Sequence, residues 1–149
     1  MKLAPPSKVE NCKCEPVALT DIDEVVKTAE KMFKIMTDNN GIGLAAPQVG
    51  IFKRFFIMRD FLKPGYKLFI NPVVSWESNK TASFKEGCLT YNTPSSKPYW
   101  YVRRSKSIEA SWLWPDGIKV SEKMSKLTAQ VFQHEFDHLN SITIKNKKS

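Results

Sequence analysis

His134-Glu135-Phe136-Asp137-His138 contains both of the chain's histidines. On a helix, residues i and i+4 stand on the same face, so the two imidazoles can reach one metal ion. Glu135, one step round, can reach a water held beside it. Two imidazole ligands and a general base are the parts of a metal-dependent hydrolase. A single histidine on an apolar helix face is usually a hydrogen-bonded core residue. Two at this spacing, with a glutamate after the first, favour the metal reading.

A catalytic site of this kind wants a third protein ligand and an open position for water. The metzincin extension would need glycine and histidine where this chain has Ser141 and Ile144. Thermolysin-like enzymes take a downstream glutamate, and no acidic residue follows Asp137. The third ligand is therefore expected upstream, among Cys12, Cys14, Cys88 and assorted carboxylates. Cys88 lies in Glu86-Gly87-Cys88-Leu89-Thr90, where glycine permits close backbone approach and a thiolate binds zinc or iron strongly. Cys12 and Cys14 form a Cys-x-Cys pair in a polar N-terminal stretch, with no second pair to complete a metal knuckle, and read as ordinary thiols. Spacing alone leaves the choice open.

A further segment, Gly41-Ile42-Gly43-Leu44-Ala45-Ala46-Pro47-Gln48-Val49-Gly50, precedes these two. The three motifs in this order resemble those of the peptide deformylases, which remove the formyl group from the N-terminal methionine of new bacterial and organellar proteins. The resemblance runs from about Thr20 to Leu139. It implies that Cys88, His134 and His138 hold the metal and that Glu135 is the catalytic acid/base. It also implies that Gln48 donates its amide, and Leu89 its backbone N–H, to the formyl oxygen. Ile42, Gly43 and Gly87 would pair with the substrate backbone, and Ile42, Leu127, Val131 and the His134 ring would line an apolar methionine pocket. The implied native metal is Fe²⁺, with Zn²⁺, Ni²⁺ or Co²⁺ as substitutes. Gln133 and Asp137, which flank the histidines, are expected to support the ligands.

The chain departs from the family pattern at Tyr91-Asn92, where relatives often carry a small apolar residue and proline, and at Ser141, where many have glycine. The helical C-terminal extension of longer members is absent. These departures touch the groove rim and ribosome contacts, and the brevity resembles a short bacterial or phage-encoded member.

At 149 residues the chain is expected to form one domain, residues 1–149, around a single core. Its 42% apolar content suits a globular protein. No apolar run approaches a membrane span of about 18 residues, and Met1 to Pro6 lacks a signal peptide's apolar stretch. Three cysteines suit a reducing cytoplasm, bacterial or that of a phage's host. The net charge of +8 has a bland reading, a solvated surface, and a functional one, transient attraction to ribosomal RNA. Arg103-Arg104 and the tail lysines Lys145, Lys147 and Lys148 look clustered. The expected partners are N-formylmethionyl nascent peptides, acted on by a monomer without membrane attachment. The rivals are an HExxH metallopeptidase cutting internal bonds and a non-catalytic ribosome- or RNA-binding protein with a structural metal.

The elements that must position this chemistry follow from periodicity. Asp21 to Asp38 reads as an amphipathic helix capped by Thr20 or Asp21 and ended by Asn39-Asn40-Gly41. Strands are expected at Phe55 to Met58, Lys67 to Ile70, Ser107 to Leu113 and Ile118 to Ser121. Lys63-Pro64-Gly65 and Asp116-Gly117 supply the turns. Glu77 to Ala82 reads as a polar loop, and Trp112 and Trp114 as packing residues. The last helix is expected over Glu122 to Asn140, with Met124, Leu127, Val131, His134 and His138 on one stripe. The fold class is α+β: small antiparallel sheets around a central metal-binding helix, as the resemblance also implies.

Overall fold

The computed structural model describes residues 1–147. A short helix α1 (Pro6–Glu10) precedes α2 (Ile22–Asp38), β1 (Gly43–Ala45), β2 (Phe55–Arg59) and β3 (Tyr66–Glu77). Then come β4 (Thr81–Gly87), β5 (Tyr99–Ser105), β6 (Ser107–Leu113), β7 (Lys119–Ser125), α3 (Lys126–His138) and α4 (Ile144–Lys147). One antiparallel sheet has the order β1-β2-β3-β6-β7, and a second contains β4 and β5. This is the α+β arrangement expected from the sequence. Among the described residues no helix is long and apolar enough to cross a membrane.

The five-stranded sheet lies between α2 and α3. Side chains alternate across a strand, and in β2 both faces are covered, so the whole run Phe55, Phe56, Ile57 and Met58 is buried. Phe55 and Ile57 pack with Val25, Ala29, Met32 and Met36 of α2. Phe56 and Met58 pack with Ala129, Val131 and Phe132 of α3. The Phe132 ring meets Phe56 and Phe69 edge-on at 5.0 and 5.2 Å, fixing how α3 sits on the sheet.

Helix α2 starts after a 3-10 turn, Leu19–Asp21, that runs straight into it. Asp21 has a helical backbone rather than an extended one and makes no side-chain cap, contrary to the expected role of Thr20 or Asp21. At the other end Asn40 turns left-handed (φ 56°) and Gly41 N–H bonds the Met36 carbonyl at 2.8 Å.

Several boundaries differ from expectation. β3 is longer because Asn71 and Pro72 interrupt its ladder to β6 in a bulge, after which pairing resumes. Glu77 to Ala82 is a loop only at Ser78 to Lys80: Glu77 ends β3, and Thr81 and Ala82 open β4, which pairs with β5, a pairing absent from the expected strands. Glu122 to Ser125 pair with β6 and belong to β7, so α3 begins at Lys126, which takes a left-handed conformation (φ 56°) at the joint. Met124 thus reaches the core from a strand. Trp112 is buried, whereas Trp114, in the β6–β7 turn, is 42% exposed and is not a packing residue.

Candidate metal centre

Helix α3 carries an unusual buried face: Gln133, His134, Glu135, Asp137 and His138 are all buried beside Val131 and Phe132. Buried polar groups need partners, and β4 and β5 supply most of them. Glu86, on the inward face of β4, accepts from His134 Nδ1 at 2.8 Å and from Gln130 Nε2 at 3.1 Å. Arg104, inward on β5, grips Glu86 with two bonds of 2.7 and 2.8 Å and Asp137 with a third of 2.9 Å. Burial alone would raise the Glu86 pKa, but the hydrogen bonds from His134 and Arg104 prevail and hold it at about 2.

Because His134 Nδ1–H is committed to Glu86, its Nε2 lone pair is free to face the cavity. His138 Nε2 lies 3.2 Å from it and 3.4 Å from Cys88 Sγ. The ligand atoms of Cys88, His134 and His138 all fall within 4.8 Å of one another, in a buried cluster. One sulfur and two nitrogens brought this close in a buried cluster are a donor set for Zn²⁺ or Fe²⁺. Burial opposes protonation of His134, yet Glu135, Cys88 and Glu86 push its pKa up to about 10. Burial, then repulsion from His134 and Arg104, drive His138 well below its ordinary value. Of the two imidazoles, His134 is thus the one that favours a proton and His138 the one that stays neutral.

Glu135 is 3% exposed, with Oε2 4.0 Å from His134 Nε2. Burial raises its pKa to about 7, against the pull of His134 and Arg104, a value suited to moving a proton near neutrality. The carboxylate occupies the space where a side chain at position 43 would begin: a Cβ on Gly43 would lie 2.5 Å from Glu135 Oε2. Gly43 is therefore required for Glu135 to be where it is.

Gln48 is fully buried in the 3-10 turn Ala46–Val49, and Ala45 N–H donates to its Oε1 at 2.9 Å. That bond fixes the amide's orientation, so Nε2 points to Thr90 Oγ1 at 3.0 Å and Cys88 Sγ at 3.5 Å. Leu89 opens the 3-10 turn Leu89–Tyr91, where its N–H has no carbonyl within the turn to serve.

These residues surround a cavity of about 390 Å³ lined by Ile42, Gly43, Gln48, Gly87, Cys88, Leu89, Val131, His134 and Glu135, among others. Ten of the eleven residues singled out from the sequence thus gather around it or, as His138 does, in the cluster at its base. The eleventh, Leu127, does not: it is 45% exposed and faces a neighbouring hollow with Phe84 and Lys106. The one-stripe assignment fails there because α3 begins only one residue earlier, so Leu127 lies at its end, over the β4–β5 sheet.

Two other expectations, on the residues flanking the histidines and on the basic clusters, are corrected. Gln133 donates to the Ser105 and Ala129 carbonyls rather than to a histidine, and Asp137 serves Arg104 and Lys147. Arg103-Arg104 is no surface cluster, because strand alternation exposes Arg103 and buries Arg104. Lys147 pairs with Asp137 at 3.1 Å, and Lys148 lies outside the described residues. The N-terminal thiols, read as ordinary ones, are free cysteines outside the donor cluster. Cys14 is buried in the core, its pKa pushed up to about 12 by burial and Cys12, while Cys12 Sγ bonds the Val9 and His138 carbonyls. Glu86, Arg104 and Thr90 carry support roles that the sequence reading did not assign. The available signal was Glu86, two residues before Cys88 in a motif already singled out.

Comparisons with known proteins agree with this geometry. The family model described as Polypeptide deformylase matches residues 4–149. The peptide deformylase of Thermotoga sp. (strain RQ2) is 39% identical over 132 residues, 89% of this chain and 76% of that protein. That of Borreliella burgdorferi is 33% identical over 125 residues, 83% of this chain and 73% of its own. The crystal structure of the Thermotoga maritima peptide deformylase superposes with a TM-score of 0.88 at 36% identity, covering 100% of this chain and 99% of that one. A probable peptide deformylase from Synechococcus phage S-SSM7 gives 0.87 at 33% identity, with 99% of each chain covered. The chain belongs to the peptide deformylase family.

Proposed function

We propose that this chain hydrolyses the N-formyl group from the N-terminal methionine of newly synthesised polypeptides, with Cys88, His134 and His138 holding one divalent metal ion. The observation that carries the reading is the convergence of a thiol and two imidazole nitrogens beside a buried glutamate whose pKa is raised to about 7. A bound divalent ion supplies the electrophile, acidifying water and polarising a carbonyl.

The chain's own residues do the rest. Glu135 takes the proton of the attacking water and returns it to the departing methionine amine, a transfer worth roughly 10²–10⁴-fold. As the formyl carbon becomes tetrahedral, charge grows on its oxygen, and the Gln48 amide and the Leu89 N–H are the donors that stabilise it. Gln48 brings its N–H from Cys88 Sγ, and Thr90 keeps the amide in place. The products are formate and a free amine.

The substrate backbone is read by strand edges. Among the described residues β1 pairs only with β2, and β4 only with β5, so each keeps one edge without a strand partner there, and both border the cavity. An extended peptide added there is held main chain to main chain by Ile42, Gly43 and Gly87, independent of most side chains. Val131 and Ile42 supply apolar surface for the methionine. Fe²⁺ is the native metal in this reading, with Zn²⁺, Ni²⁺ or Co²⁺ able to replace it. The enzyme works in the cytoplasm as a monomer, and its net charge of +8 favours transient contact with the ribosome.

The test compares formyl-Met-Ala-Ser with acetyl-Met-Ala-Ser. Formate release from the first and little turnover of the second are expected. Cleavage of internal bonds without formate release would instead establish a metallopeptidase, and salt-sensitive RNA binding without either a binding protein. Metal analysis of anaerobically purified protein checks the iron assignment, which a stoichiometric content of another metal would contradict.

A further inference from the structure

We propose that the mouth of the cavity selects formylated chains with an acidic side chain at the third residue, through Lys85 assisted by Lys97. The inference rests on the deformylase reading above. Lys85, Glu86, Gly87 and Cys88 are consecutive, and all line the cavity. Strand alternation sends Glu86 inward and leaves Lys85 and Gly87 exposed on the opposite face. A peptide whose N-terminus sits at Cys88, and whose chain runs out along the edge of β4, passes Gly87 and then Lys85. If its methionine lies opposite Gly87, its third residue lies opposite Lys85, and directly opposed side chains share a face.

The charges around this path are one-sided. Lys85 Nζ stands 3.9 Å over the ring of Tyr99, which keeps the ammonium at the cavity wall. Lys97, also exposed, borders the same cavity from the segment before β5. The carboxylates in the lining, Glu86 and Glu135, are only 6% and 3% exposed, and Glu86 is neutralised by Arg104. The facing wall offers Asn39, Asn40, Gly41 and Ile42, all neutral. Position 87 has no side chain to obstruct the approach; a Cβ there would touch only the Pro98 carbonyl, at 3.8 Å. An acidic third residue therefore meets ammonium groups and no competing exposed carboxylate, while a lysine there meets like charge.

The experiment measures kcat/KM of the metal-loaded protein on C-terminally amidated formyl-Met-Ala-Glu, formyl-Met-Ala-Gln and formyl-Met-Ala-Lys, so that only the third side chain changes charge. The glutamate peptide should exceed the lysine peptide by about fivefold at low salt, the scale of exposed ion pairs, and the gap should shrink at about 0.5 M salt. Lys85→Glu should invert the order, and Lys97→Gln should narrow it. Equal values for all three peptides, or an order that Lys85→Glu leaves untouched, would overturn the selectivity. No turnover of any of the three would instead overturn the deformylase reading beneath it.

Discussion

Helices α2 and α3 flank the same sheet, yet they bury opposite kinds of residue. α2 turns Val25, Ala29, Met32 and Met36 inward and leaves its charges in water. α3 buries two histidines, a glutamate, an aspartate and a glutamine beside Val131 and Phe132. The first pattern is what any surface helix needs in order to pack. The second costs desolvation and persists only because β4 and β5 satisfy much of it, which marks the helix as functional rather than merely structural. α2 supports the fold, and α3 spends part of its packing face on chemistry.

The sharpest way to break this comparison is Glu135→Gln. It should lower kcat by roughly 10²–10⁴-fold with the metal content unchanged by elemental analysis; near-normal turnover, or loss of the metal, would remove Glu135 from its role. In α2 the effect should appear in stability instead. Met32 is fully buried, so Met32→Ala should cost about 2–5 kcal/mol in urea unfolding. Its kcat/KM per folded molecule should stay near that of the parent, and a large loss there would show that α2 does more than support.

How much of this was legible in the sequence follows the same division. α2 could be placed almost to the residue because its apolar stripe is unbroken. The ligand pair in α3 was visible because i and i+4 are neighbours in the chain. The start of α3 was not, because Met124 and Val131 share a helical spacing although Met124 belongs to β7. β4 and β5 were hidden for a related reason: Glu86 and Arg104 point inward, so the alternation that reveals a half-buried strand is masked by charge. The bond from His134 to Glu86 spans 48 positions in sequence, and no local period reports a contact at that distance.

That hidden support is the next place to test. Glu86→Gln keeps an acceptor for His134 but loses the charge that Arg104 holds, and metal affinity should fall about 10- to 100-fold, read by competition with a chelator. An unchanged affinity would make the Glu86–Arg104 pair a packing feature. The smallest effect is expected at Tyr91, a departure from the family pattern. Its hydroxyl donates to Glu10 Oε2 at 2.7 Å and meets Thr143 Oγ1 at 2.8 Å, joining the N- and C-terminal segments to the turn that presents Leu89. Tyr91→Phe should lower stability by about 1 kcal/mol, measured by the urea midpoint; a shift several times larger would mean that this tie organises the turn itself.

The two bare strand margins that border the cavity have one more consequence. Unpaired margins ordinarily invite neighbouring molecules to dock and polymerise. In this fold they open onto a recess rather than the outer surface, where a lone, unfolded tail can thread but another molecule's finished sheet cannot. A recess of that shape should therefore lower the tendency of two copies to join edge to edge.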